Sequence, residues 1–146
     1  MSWRALEEKN PELAAFGASR LHGQVAYLAT LRQDGSPRVH PMTPIIGQGY
    51  LFVFMEPTSP KGHDLRRDGR YALHCAVSDT GGTSGEFRIS GQAQLVTNPE
   101  LRALAVQLAP YSPADRYILF EFSLESAAST VYEGDGIIHQ RWKRDD

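Results

Sequence analysis

Apolar positions alternate or run together along most of this chain, and they predict strands more often than helices. From Val25 to Gln33, Val25, Tyr27, Ala29 and Leu31 alternate with Ala26, Leu28 and Thr30, so both faces read as apolar and covered. Asp34-Gly35 then signals a hairpin turn. Arg38 to Ile46 is the predicted return strand, confined to an edge or a bulge because Pro41 and Pro44 cannot donate to a ladder. Gly47-Gln48-Gly49 turns the chain into a third strand, Tyr50 to Met55. Further strands are predicted at Tyr71–Val77, Glu86–Val96, Tyr117–Leu124 and Ile137–Lys143, with a bulge or bend at Gly91. Asn10-Pro11-Glu12, Ser59-Pro60 and Asn98-Pro99-Glu100 each place a capping side chain before a proline, the pattern of a helix start. The predicted helices end near Gly23, near Gly69 and after Leu108. Six or seven short strands joined by turns and short helices favour an antiparallel barrel over a doubly wound sheet.

A length of 146 residues predicts a single domain, 1–146, with a real core. The formal charge of −2 gives no whole-molecule attraction to nucleic acid, so any anion site must be a local cluster. One cysteine, Cys75, excludes an internal disulfide and a multi-cysteine metal centre. The first residues lack the apolar stretch of a signal peptide, and no apolar run approaches a membrane span. A cytoplasmic protein is expected, with no membrane partner. The segment 79–85, rich in Gly, Ser and Thr, is expected to be a mobile loop.

The chemistry-bearing residues cluster between the first hairpin and the second helix. Lys61 stands in the first turn of a helix that Ser59 can cap, where free N–H groups, the helix dipole and an ammonium converge on one anion. A solvated surface lysine is the plain alternative. Arg38 opens a strand from which a guanidinium can fork onto phosphate oxygens, or merely guard an edge. His40 shares its face. The cations of Arg66-Arg67-Asp68-Gly69-Arg70 suit a helix C-terminus, and Trp142 can stack on a flat ring or plug an interface. No metal site is expected, because His74 and Cys75 point to opposite faces of a strand and the other histidines lack ligand spacing. No nucleophile elbow or nucleotide P-loop appears.

Several segments together carry a family likeness: Leu28 to Pro41, Leu51-Phe52-Val53-Phe54, Ser59-Pro60-Lys61, Leu65 to Arg70, Ile89 to Ala93, and Arg141-Trp142. In that order they resemble the pyridoxamine-5'-phosphate-oxidase-like flavin proteins over roughly Val25 to Lys143. The resemblance implies a six- to seven-stranded antiparallel split β-barrel of Greek-key type with a few short helices. It implies a homodimer with FMN at the interface, acting as an oxidoreductase on a small-molecule substrate with a separate reductant. Arg38, Ser59 and Lys61 would grip the phosphate, with Arg66 or Arg67 compensating for the donor that Pro60 removes. The ring would lie along Val39 and His40 and near Met55 and Glu56, with Arg141 and Trp142 arriving from the partner subunit. Glu86 stands where relatives place a ring-binding glutamine, and the C-terminal arginine pattern of true oxidases is missing, which argues against pyridoxamine phosphate as substrate. Catalytic residues are not identified. Deazaflavin, with Arg66 and Arg67 on its longer tail, is the alternative cofactor; a non-catalytic flavin-binding or empty barrel, and haem with His40 or His139 as axial ligand, are further readings.

Overall fold

The computed structural model describes residues 2–82 and 84–145. Among them the chain forms four helices and eight strands: α1 (Ser2–Lys9), α2 (Pro11–Leu21), β1 (Ala26–Leu31), β2 (Pro37–Met42), β3 (Ile45–Gly47), β4 (Tyr50–Met55), α3 (Pro60–Arg67), β5 (Arg70–Cys75), β6 (Glu86–Leu95), α4 (Pro99–Leu108), β7 (Ile118–Glu133) and β8 (Gly136–Lys143). The count exceeds the expected six or seven because the segment predicted as one strand from Arg38 to Ile46 breaks at Thr43-Pro44 into β2 and β3. Pro44 has no N–H to donate to a ladder.

All pairings are antiparallel, in the order β2-β1-β5-β6-β7-β4-β3, with β8 also on β7. β7 is the spine. One edge follows β6 throughout, while the other pairs first with β4 (Phe52 opposite Glu121) and then with β8 (Ser126 opposite Lys143). The sheet forks where β7 changes partner, and the barrel is split there. The register also shifts at that point: Ser90 faces Ser126 but Gly91 faces Leu124, leaving Glu125 as the extra residue. The expected irregularity at Gly91 is present, with the bulge on the opposite strand. A Cβ on Gly91 would overlap the Ser123 carbonyl, so only glycine fits.

All three proline-marked helix starts form as expected. Asn10 Oδ1 accepts from Leu13 N at 3.1 Å, Ser59 Oγ from Gly62 N at 3.1 Å, and Asn98 Oδ1 from Glu100 N and Leu101 N at 2.9 and 3.0 Å. Helices α1 and α2 cap the barrel interior, where Trp3, Leu6 and Leu13 join Leu28, Leu73, Phe87 and Phe122 in the main core. A second cluster lies outside the barrel wall. Ala105 of α4 covers Phe52, Phe54 and Leu119 there, so every residue of β4 after Tyr50 is buried.

That cover overturns one expectation of the sequence, that the apolar faces of Tyr50 to Met55 and Tyr117 to Phe122 need covering by a second subunit because a small barrel cannot hide everything. Strand β1 corrects another. Its inner residues Ala26, Leu28 and Thr30 are buried, but Tyr27 is 47% exposed, so only one of its faces is covered within a single chain. In the segment expected to be mobile, Arg20 Nη1 donates to the carbonyls of Ser84 and Gly85 at 2.7 and 2.8 Å; Thr83 lies outside the described residues.

Candidate functional site

The first hairpin sets the site. Asp34 Oδ1 accepts from Ser36 N at 2.9 Å, Gly35 takes a positive φ of 86°, and the resulting register puts Arg38 opposite Thr30. Both side chains turn towards α3. Thr30 Oγ1 donates to Asp64 Oδ2 at 2.8 Å, and Arg38 Nε donates to the same oxygen at 2.8 Å. Arg67 Nη2 donates to Asp64 Oδ1 at 3.3 Å. Asp64 is only 2% exposed. Burial pushes its pKa up, but the hydrogen bonds from Thr30, Arg38 and Arg67 outweigh that and hold it below the ordinary carboxylate value. The stability this supplies is present above the ordinary value and is lost as pH falls through the lowered one.

Lys61 lies one turn before Asp64 on α3 and is half-buried, with its pKa lowered by that burial. His40 lies two residues beyond Arg38 on β2, and its Nε2 is buried with no hydrogen-bond partner among the described residues. Burial, then the Lys61 charge, then the Arg38 charge hold the imidazole below its ordinary pKa, with Asp64 opposing. Lys61 and Arg38 therefore each stand within electrostatic reach of His40. A buried donor or acceptor left unmade costs about 1–3 kcal/mol. The donor set fits a phosphate.

A cleft of about 330 Å³ adjoins this cluster, lined by Lys61, Met55, Glu56, Pro41, Tyr111 and Tyr117 among others. Glu56 is committed: its carboxylate accepts from Arg116 Nε at 2.9 and 3.1 Å, and that partner lowers its pKa. Ser59 caps the helix and donates to the Glu56 carbonyl at 2.7 Å. The expected site residues thus divide. Arg38, His40, Met55, Glu56, Ser59 and Lys61 belong to the region where β2, the end of β4 and the start of α3 meet. Val39, Arg141 and Trp142 lie instead in a wider apolar hollow of about 770 Å³ on the outer sheet face, with Tyr27 on its rim and Ala29, Ala72 and Ala128 in its floor. Arg66 joins neither group: its guanidinium turns back to the carbonyls of Gly62 and Pro57. Arg67 and Arg70 are likewise occupied, by Asp64 and Asp68. Glu86 faces His74, with Oε1 3.3 Å from Nε2. Cys75 is buried, and its Sγ accepts from Phe87 N at 3.2 Å. No group of three metal-ligating side chains occurs among the described residues, nor does any helix long and apolar enough to cross a membrane.

Asp64, Thr30, Tyr111 and Tyr117 escaped the sequence reading. Thr30 was accessible, since the Asp-Gly turn fixes its pairing with Arg38. Asp64 gave no such signal, because a carboxylate in a polar helix reads as solvated.

His40 provides a direct test. In ligand-free protein its NMR titration midpoint should fall below the ordinary histidine value, and saturating inorganic phosphate should raise it by neutralising the neighbouring cations. A midpoint indifferent to phosphate would separate His40 from any anion site here.

An antiparallel barrel that forks where its longest strand changes partner is a split barrel. The chain belongs to the pyridoxamine 5'-phosphate oxidase family, whose sequence profile matches residues 12–127. Among solved structures it is similar to a heme binding protein from Mycobacterium smegmatis (TM-score 0.71, 18% identity, 90% of this chain and 57% of that one). It is similar also to a pyridoxamine 5'-phosphate oxidase-related, FMN binding protein from Nostoc punctiforme (TM-score 0.68, 12% identity, 97% and 91%). A third similar structure is an F420 reductase (TM-score 0.58, 18% identity, 75% and 94%). No curated protein matches.

Proposed function

We propose that this chain binds FMN and works, as a homodimer, as an oxidoreductase on a small molecule with a separate reductant. The observation that carries the reading is that Lys61 and Arg38 both lie within electrostatic reach of His40, whose buried Nε2 lacks a partner among the described residues, with Ser59 capping the start of α3. The similarity to an FMN binding protein of the same family supports it. The flavin supplies the redox chemistry when bound. The chain's part is to hold and orient it. Lys61 and Arg38 take the phosphate, Met55 and its neighbours supply an apolar wall, and the hollow with Val39, Arg141 and Trp142 receives a second copy. Exposed Tyr27 and Val39, the latter 64% accessible, favour such burial.

Deazaflavin is the second reading, favoured by the similarity to an F420 reductase. Its longer anionic tail wants further cations, and the two arginines expected for it, Arg66 and Arg67, are engaged with carbonyls and Asp64. FMN is therefore preferred. Titration with FMN, deazaflavin and haem followed by absorbance, with sedimentation of the loaded protein, tests the assignment. FMN binding by a species of twice the monomer mass is expected. A Soret band with no flavin bound, or tighter binding of deazaflavin than FMN, would overturn it.

A further inference from the structure

We propose that Asp64 is a positioning residue for the anion site: it fixes the Arg38 guanidinium by its Nε so that the two terminal nitrogens face the phosphate. The inference rests on the FMN reading above.

Arg38 has five N–H donors in a rigid planar fork. The described residues show one of its nitrogens engaged, Nε to Asp64 Oδ2 at 2.8 Å, while Nη1 and Nη2 make no hydrogen bond. The other end of that contact is immobile. Asp64 is buried on α3, Thr30 shares its Oδ2, and Arg67 holds Oδ1. Arg38 itself keeps a quarter of its side chain accessible, so the free end of the fork is reachable. The carboxylate cannot serve the phosphate directly, because like charges repel. Its value lies in orientation: a guanidinium anchored at one edge loses less freedom when a ligand engages the other.

Charge and orientation predict opposite signs. Replacing Asp64 by Asn removes a negative charge beside the site, so field strength alone would tighten phosphate binding. Loss of the anchor would weaken it. For Asp64→Asn, FMN affinity should fall about tenfold or more, the size of one charge-assisted contact, while riboflavin, which lacks the phosphate, binds as to wild type. Unchanged or tighter FMN binding overturns the proposal, as does an equal loss for FMN and riboflavin, which would mark Asp64 as merely structural. Arg38→Lys covers the case in which Asp64→Asn does not fold. It keeps the charge but not the fork, and the same selective loss of FMN is expected; wild-type FMN affinity overturns the idea. A wild-type protein that binds FMN no better than riboflavin would instead sink the phosphate site itself, so the two failures are distinguishable.

Discussion

Replacing Lys61 and Arg38 together by alanine should weaken FMN binding roughly a hundred- to ten-thousand-fold, since each charge-assisted contact to phosphate is worth about 1.5–3 kcal/mol. Riboflavin should bind the variant nearly as it binds wild type. Fluorescence titration of both ligands measures the difference, and an FMN affinity that survives the double substitution would remove the basis of the proposed function. The single variants should not sum to the double. Arg38→Ala also strips a partner from buried Asp64, leaving Thr30 and Arg67 to hold that charge, so part of its effect will be loss of stability. Lys61 has no such obligation among the described residues: its burial is a cost that ligand-free protein carries and a bound anion would offset.

Phe87→Ala should be the most damaging core substitution, at about 3–5 kcal/mol. The ring is fully buried where α1, α2 and β6 meet, with Trp3 and Phe16 edge-on at 6.1 and 6.3 Å. Beneath it stands Gly17, where any Cβ would strike the ring, so that position has no side chain to swing into the void. Total stability for a domain of this kind is about 5–15 kcal/mol, and the loss should lower the thermal midpoint by roughly 10 °C or more. A drop under about 1 kcal/mol in denaturant unfolding would mean that α1 and α2 do not seal the barrel as described.

What the sequence disclosed, and what it hid, follows from how local each interaction is. The three capped helices and the Asp34-Gly35 hairpin were legible because the residues that make them sit within one turn of one another. Helix α1 was not: Ser2–Lys9 is short and polar, and it stands because Trp3 and Leu6 pack into the barrel. The full length of β7 was hidden for a related reason. From Ser126 to Thr130 it is built of Ser, Ala and Thr, whose contrast in polarity is too weak to show a period, and three of those small residues, Ser126, Ala127 and Ala128, line the outer hollow. The cationic half of the site could be named from Arg38, Ser59 and Lys61. The carboxylate beneath it could not, because the burial of Asp64 is decided by β1 and β2 closing over α3. The same distance effect misplaced the uncovered apolar surface. Helix α4 folds back over β4, leaving Tyr27 and Val39, rather than Phe52 and Phe54, in contact with water.

The change of partner along β7 divides the work of closing the chain. Its later half meets β8 through a tight turn, Glu133 facing Gly136, and such a local pairing forfeits little freedom. Its earlier half must bring Val53 opposite Phe120, with α3, β5, β6 and α4 all in the loop between them, so its closure forfeits more freedom. One strand therefore takes part in two kinds of closure, a local hairpin and a distant clasp. The pocket around Lys61, which is lined by Met55 at the end of β4, depends on the second.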